Sequence, residues 1–344
     1  MSNNIQVSVI MSTCNTEEEF LKSAIKSILN QTLKEIEFII VNDGGTNLPI
    51  IEQFNDDRIV IINHEETKGL PFSLNEAIEK SKGKYIARMD SDDISKIDRL
   101  EIQKKYLDKN SNIDICAMFY KKFYQEKDFI INSFYSYKDI ASQLFFRNVL
   151  AHPSIMFRRG FLIENELRYS LEYRYSQDFE FWTRCTQNGN ISLIPRLGLY
   201  YRIHGNQIRS SKKDMQKQLY DSVLIRNLNE IELDETYLKF IKMLNGNYLD
   251  NIDFIELANF IDLAIEKNNK IKRYDEKSFK KILYNAYFNL LLKNKKINFL
   301  LCKSIRSKIF NISNISYIIK KIYLSLKMKL TYFIDKTIKT EEYK

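Results

Sequence analysis

The feature that most constrains this chain is an alternation in its N-terminal third. Four short apolar runs are each followed by a stretch of different periodicity. Residues 6–11 (QVSVIM), 36–41 (IEFIIV), 58–63 (RIVIIN) and 84–89 (KYIARM) have the length and β-branched content of buried strands. Between the first two, Phe20, Ala24, Ile25, Ile28 and Leu29 recur at helical spacing. Thr16 and Glu19 stand ahead of that run as a capping box. The spacing predicts a second helix over 70–82, ended by Gly83, and a third over 96–109. Strands alternating with helices imply an α/β fold with a mainly parallel sheet, since parallel neighbours need a crossover and a helix supplies it. In such sheets ligands bind beyond the carboxyl ends of the strands, near the switch in strand order. Polar residues collect at those ends here: Ser12, Thr13 and Asn15 after the first strand, Asp43 after the second, and Asp90 to Asp93 after the fourth.

Beyond this segment, residues 113–158 read as short strands and one helix, 176–190 as a helix and 191–203 as strand. From 211 onward the pattern is helical, with Lys and Asn between apolar positions, and a boundary is expected near residue 210. A chain of 344 residues suffices for one large domain or two modest ones. Its 4 cysteines form no C-x-x-C pair, which argues against a zinc knuckle or disulfide scaffold and for a reducing compartment. The start MSNNIQ lacks the basic and apolar segments of a signal peptide. No apolar run approaches the ~18 residues of a membrane span. A cytoplasmic location is therefore expected.

The net charge of +9 is unevenly placed. Residues 301–344 carry ten Lys or Arg against Asp335, Glu341 and Glu342, a net +7. Ile315, Ile319, Ile322, Leu326, Leu330 and Phe333 share one helical face there, with Lys329 near it and Tyr317 and Leu324 opposite. Such a segment suits an anionic membrane surface on the inner face of the cell membrane. Packing against the N-terminal domain, or against a second subunit as a homo-oligomer, fits it equally. Nucleic acid is disfavoured, since no recognisable module accompanies the charge.

Several residues are of a type that carries chemistry. In Asp90-Ser91-Asp92-Asp93, alternate residues at a strand end face one way, and clustered carboxylates favour a hard cation such as Mg²⁺ or Mn²⁺. A solvated acidic turn is an even alternative on spacing alone. Asp43 precedes Gly44 and Gly45, as in a β-turn or in a backbone that approaches a ligand closely. Asp178 lies near a helix start beside the single tryptophan, Trp182, where burial would raise its pKa toward that of a base. A first-turn helix acid is the plainer reading of that position. His152 and His204, in AHPSIMFRR and YYRIHGNQIR, suit phosphate, metal or acceptor binding, or simply structural hydrogen bonding.

Taken together and in order, these blocks resemble the family 2 glycosyltransferases. The resemblance runs over residues 5–210 through VSVIMSTCN, ILNQT, EFIIVNDGGT, KGLPFSLNEAIEKSKGKYIARMDSDDIS, AHPSIMFRR, SQDFEFWTRC and YYRIHGNQIR. It implies the GT-A fold, a Rossmann-like nucleotide-binding domain over 1–210, followed by a helical basic extension over 211–344. It implies an inverting transfer of a sugar from a nucleotide diphosphate sugar, with UDP foremost, to an acceptor hydroxyl in surface polysaccharide or lipooligosaccharide synthesis. Thr13, Asn15, Asp43, Lys68, Arg88 and Asp90 would then bind the nucleotide sugar, and Asp43 would accept from a uracil N–H. Asp92, Asp93 and His204 would gather about the metal, with His204 on a loop reaching the diphosphate. Asp178 would deprotonate the acceptor, in a region that includes His152 and Trp182. The sequence departs from the family pattern in three places. Ser12-Thr13-Cys14 stands where Pro, a small residue and Tyr are usual, Asn42-Asp43-Gly44-Gly45 replaces Asp-Asp-Gly-Ser, and Gln177-Asp178 replaces Glu-Asp. The alternative is a non-catalytic nucleotide-sugar or polyanion-binding protein with a vestigial crevice, in which a base would have no use. A nucleotidyltransferase would need a Gly-rich phosphate loop near the N-terminus, which the sequence lacks.

Overall fold

A computed structural model describes residues 5–124, 127–131, 136–204, 212–246 and 252–294. The basic segment 301–344, with its expected amphipathic face, lies outside the described residues, as does Cys302. The chain divides into two compact units that part between Leu238 and Lys239.

The first unit is built on a mixed sheet. Its strands are β1 (Val7–Thr13), β2 (Ile36–Asp43), β3 (Ile59–His64), β4 (Tyr85–Asp90), β5 (Ile94–Ser95), β6 (Ile115–Tyr124), β7 (Lys127–Ile131), β8 (Ile155–Arg158) and β9 (Ile191–Arg202). They lie in the order β3-β2-β1-β4-β8-β6-β9-β5, with β7 paired to β6. β3, β2, β1 and β4 are mutually parallel, as the alternation predicts. β8 then enters antiparallel between β4 and β6. The order reverses at β1 and β4, so their carboxyl ends and that of β2 open on one crevice. The register sets Thr13 beside Asn42, Ser12 beside Asp90 and Asp43 beside His64.

The helices of this unit are α1 (Glu18–Leu29), α2 (Leu48–Glu52), α3 (Leu70–Lys80), α4 (Arg99–Lys109), α5 (Tyr137–Leu144), α6 (Arg159–Glu164), α7 (Gln177–Asn188) and α8 (Lys213–Asn229). Leu21, Ala24, Ile25 and Ile28 of α1 pack with Val7, Val9, Met11, Phe38, Ile40, Tyr85, Ala87 and Met89 of the sheet in one core. These side chains exclude water almost completely, the Val, Leu, Ile, Phe and Met among them each contributing about 1.5–3 kcal/mol of transfer free energy.

Local readings near the site need correction. Thr16 does not cap α1. Glu17 holds the N-cap position without a side-chain bond, because the Thr16 hydroxyl is drawn toward Thr13 and Ser91. A capping box does form at α5, between Ser136 and Asp139. Phe20 leaves the core and lies half-buried under the crevice. The helix expected over 70–82, α3, ends at Lys80 with Ser81 as C-cap rather than at Gly83. The helix expected over 96–109, α4, begins at Arg99, since Ile94 and Ser95 first pair with β9.

The second unit, as described, contains α9 (Leu238–Leu244), α10 (Phe254–Ile271) and α11 (Glu276–Lys293). Asp253 caps α10 by accepting the N–H groups of Ile255 and Glu256, and Phe240 stacks on Phe260 at 5.1 Å. Among the described residues no helix is long and apolar enough to cross a membrane.

Candidate functional site

Thr13 ends β1 with its hydroxyl turned inward. It donates to Asn47 Oδ1 (2.8 Å) and lies 3.0 Å from Thr16 Oγ1. Asn47 also accepts the Thr16 N–H and donates to the Thr16 carbonyl, both at 2.8 Å. Thr16 Oγ1 in turn meets Ser91 Oγ at 2.6 Å. Three strand ends are thus tied by short polar side chains that satisfy one another's buried groups. Asn15 sits at φ +56, a left-handed conformation that Asn tolerates, and its Oδ1 accepts from the Thr46 N–H at 2.9 Å.

Asp43 ends β2 almost fully buried. Its Oδ1 accepts from His64 Nδ1 (2.8 Å) and the Lys68 N–H (2.9 Å), and its Oδ2 accepts from the Gly69 N–H (2.9 Å). Burial alone would raise the carboxyl. The bonds from His64, Lys68 and Gly69 outweigh it and hold the group below its ordinary range. His64 reaches Glu76 Oε2 through its other nitrogen at 2.7 Å, which pins the β3–α3 loop from both sides. Gly44, at φ +68, packs so closely on the Glu66–Thr67 backbone that a side chain there would collide with it. Lys68 is exposed, its ammonium 4.7 Å over the Phe72 ring, and its carbonyl accepts from Arg174 at 2.8 Å.

At the end of β4, Arg88 and Asp90 lie on one side of the strand and form an ion pair. Arg88 is 2% exposed, and its Nε and Nη1 have no partner. Asp90, Asp92 and Asp93 each place a carboxylate oxygen within 4.8 Å of the others. Arg202 closes the turn from β9: its N–H donates to Asp93 Oδ1 and its Nε to the Asp92 carbonyl, both at 2.8 Å. The Arg202 guanidinium stacks between Phe20 (4.1 Å) and Phe123 (4.7 Å). His204 Nε2 meets Asp92 Oδ2 at 2.9 Å, and its ring rests on Phe20 at 5.4 Å. Burial pushes Asp90 up, with Asp92 and Asp178 adding to it and Arg88 opposing. Asp93 rises well above its ordinary value through burial and then through Asp90 and Asp92. Asp93 Oδ2 is also buried without a partner. Crowded oxygens, an orphaned acceptor and carboxylates that resist ionising together fit a hard divalent cation.

Asp178 lies in the first turn of α7, where the helix dipole favours a negative charge. Its Oδ2 accepts from Asn148 Nδ2 at 2.7 Å. Burial raises its pKa, while bonds to the backbone, the Asn148 amide and the nearby Arg88 pull the other way. Arg88 thus acts on both Asp90 and Asp178, and Asp178 on Asp90, so the acidic turn and α7 share one electrostatic neighbourhood. Behind them, His152 Nε2 meets the Tyr169 hydroxyl at 2.8 Å, and its ring stands 5.7 Å edge-on to Trp182. Burial and Arg88 lower His152 well below its ordinary value. Trp182 is 0% exposed. Both residues therefore form the wall behind Asp178 rather than a surface open to solvent.

Sequence reasoning passed over Asn47, His64, Asn148 and Arg202. Arg202 stood two residues from His204 in a block already singled out. The others are common polar residues whose partners are distant in sequence, such as Asn148 and Asp178, and a single sequence carries no signal of that pairing.

The comparisons with known proteins bear on the family and the fold. The family model for Glycosyl transferase family 2 matches residues 8–166. An uncharacterized glycosyltransferase of Haemophilus influenzae is 30% identical over 308 residues, covering 84% of this chain and 88% of that protein. An Escherichia coli protein, WfaP, named as a UDP-Glc:alpha-D-GlcNAc-diphosphoundecaprenol beta-1,3-glucosyltransferase, is 28% identical over 222 residues, 62% of this chain and 83% of its own. Among solved structures, S. aureus TarS in complex with UDP-GlcNAc superposes with a TM-score of 0.56 at 17% identity, covering 87% of this chain and 92% of that one. The structural likeness shows the GT-A fold.

Proposed function

The chain belongs to glycosyl transferase family 2, and we propose that it transfers a sugar from a UDP-sugar to a hydroxyl of a lipid-linked surface-glycan acceptor, with inversion at the anomeric carbon. The observation that carries this reading is the electrostatic neighbourhood that the acidic turn Asp90–Asp93 shares with Asp178, with Arg88 acting on both. A binding module has no need of a half-buried carboxylate held at a helix start and coupled to such a turn. The choice of UDP and of a lipid-linked acceptor is supported by what WfaP is named for and by the ligand of TarS.

In this reading the loop held by Asp43, together with Thr13, Asn15 and Lys68, frames the nucleotide. Arg88 and Asp90 border the ribose and diphosphate. Asp90, Asp92 and Asp93 would hold Mg²⁺ or Mn²⁺, with His204 closing over Asp92. A cation bound there supplies charge neutralisation for the departing diphosphate. Asp178 takes the proton of the acceptor hydroxyl as that oxygen bonds to the anomeric carbon and the bond to the diphosphate oxygen breaks. The raised pKa of Asp178 suits it to that proton, since a base works best when its pKa nears the working pH. His152 and Trp182 serve the acceptor side indirectly, by packing behind α7. The basic segment 301–344 would dock on the anionic membrane that carries the acceptor.

The test is Asp178→Asn assayed with UDP-glucose and UDP-GlcNAc. Loss of about 10²–10⁴ in kcat with donor KM nearly unchanged is expected, because the interaction removed matters mainly in the transition state. A variant with unchanged kcat would assign the proton to another group.

A further inference from the structure

We infer that Asn148 is a positioning residue for Asp178, and that helix α8 holds it in place through Tyr220; this rests on the reading of Asp178 as the base. Asn148 stands in the loop between α5 and β8, and the Asn148–Asp178 bond spans 30 positions of chain. Its Nδ2 donates to Asp178 Oδ2 at 2.7 Å. Its own Oδ1 accepts the Leu150 N–H at 3.1 Å, which fixes the amide so that the donor rather than the carbonyl faces the carboxylate. One carboxylate oxygen is thereby tied, and the plane of the group is set for the acceptor proton.

The loop does not hold this geometry alone. The Asn148 N–H donates to the Tyr220 hydroxyl at 3.3 Å, and the Tyr220 ring stacks on Phe179, the neighbour of Asp178, at 4.7 Å. Seven residues further along α8, Asn227 Nδ2 donates to the carbonyls of Leu144 (2.9 Å) and Phe145 (3.2 Å) at the end of α5. Tyr220 therefore touches Asn148 and the residue next to Asp178, and α8 braces the loop at two points. A hydrogen bond to the ionised form also favours that form, so the amide moderates the upward push of burial on Asp178. The other charged groups acting on this carboxylate are Arg88 and, across the crevice, Asp90.

The variants are Asn148→Ala, Asn148→Asp and Tyr220→Phe, with Asp178→Asn in parallel. Asn148→Asp is isosteric and keeps the acceptor for the Leu150 N–H, so it tests the donor without emptying the site. UDP release from UDP-glucose and UDP-GlcNAc gives kcat and donor KM. A ¹³C NMR titration of the Asp178 carboxyl reads the same effect without any substrate. Asn148→Ala should lower kcat about 10–100-fold with donor KM within about twofold, as expected for a misplaced catalytic group. Asn148→Asp should lose more at neutral pH, because a second carboxylate then faces Asp178. Tyr220→Phe, which keeps the ring, should lose about two- to fivefold by freeing the loop. In both Asn148 variants the Asp178 titration and the acidic limb of the kcat profile should move to higher pH. A purely structural Asn148 would leave that titration in place, and an unmoved titration or unchanged kcat overturns the inference. If Asp178→Asn keeps full kcat, the assignment of the base falls instead. If Asp178→Asn is inactive while both Asn148 variants behave as wild type, only the role of Asn148 falls.

Discussion

Replacing Asp43 by Asn tests whether the donor side of the crevice is held by a buried charge. The carboxylate is 2% exposed and receives His64 Nδ1 and the Lys68 N–H on one oxygen and the Gly69 N–H on the other. An amide fits the same space but offers one acceptor oxygen. Turned toward His64 and Lys68, it sets an NH₂ group against the Gly69 N–H, and that buried donor goes unpaired at a cost of about 1–3 kcal/mol. The remaining bonds fall from charge-assisted to neutral strength, a further loss of about 1 kcal/mol. The expected destabilisation is about 2–4 kcal/mol at pH 7. The sign of the pH dependence follows from the depressed pKa. Asp43 in the folded protein titrates below the ordinary aspartate value, so its stabilisation is present above that ordinary value and is lost as pH falls through the folded pKa. The gap between wild type and Asp43→Asn should therefore narrow under acid. Urea unfolding followed by the fluorescence of the single tryptophan, buried Trp182, reports the first unit. A difference under about 1 kcal/mol at pH 7, or one that does not shrink toward acid, would refute the idea that this carboxylate is charged and fully engaged.

Two further outcomes follow from the same structure. Activity should require Mg²⁺ or Mn²⁺ and vanish in excess EDTA. Asp92→Ala should abolish turnover while the urea midpoint stays near wild type, since Asp92 is only partly buried; full turnover in EDTA would exclude a metal role for the acidic turn. Changing Lys320, Lys321, Lys327 and Lys329 together to Glu should weaken sedimentation with anionic vesicles more than tenfold. Each basic residue near such a surface contributes about 1 kcal/mol, screened beyond ~10 Å at 0.1 M salt. Equal binding by both proteins would remove membrane docking and leave packing or self-association as the role of that segment.

Much of the fold was legible because it is written in local pattern. The four apolar runs became β1 to β4 within a residue or two at each end, and the strand order placed their polar ends together, as a parallel sheet requires. What misled was local as well. Thr16 and Glu19 match a capping box, but tertiary partners Thr13 and Ser91 compete for the Thr16 hydroxyl. Phe20 matches the apolar period of α1 yet leaves it to serve as a platform for Arg202 and His204. The acidic turn and Asp178 could be named in advance because the family blocks carry them. The residues that orient them could not. Arg202 is joined to Asp93 across 109 positions and Asn148 to Asp178 across 30, and a pairing of that range leaves no trace in a single sequence.

The place of α8 shows how far the setting of a proposed catalytic group can extend from its motif. The sequence pattern turns helical near residue 211, which invites a division there, yet the first compact unit runs on to Leu238. The contacts explain why α8 belongs to it. Glu180, two residues beyond Asp178 and 2% exposed, is ion-paired with Arg184 of its own helix and with Arg226 of α8 at 2.6 Å. A buried carboxylate without such partners would be costly, and Arg226 shares with Arg184 in neutralising it. Tyr220 and Asn227 brace the opposite side, through Phe179, Asn148 and the end of α5. Asp178 thus sits on a helix whose charge is neutralised by α8 and beside a loop whose backbone α8 holds. A truncation at the change of sequence pattern would leave every recognisable motif in place and still remove the groups that set the proposed base.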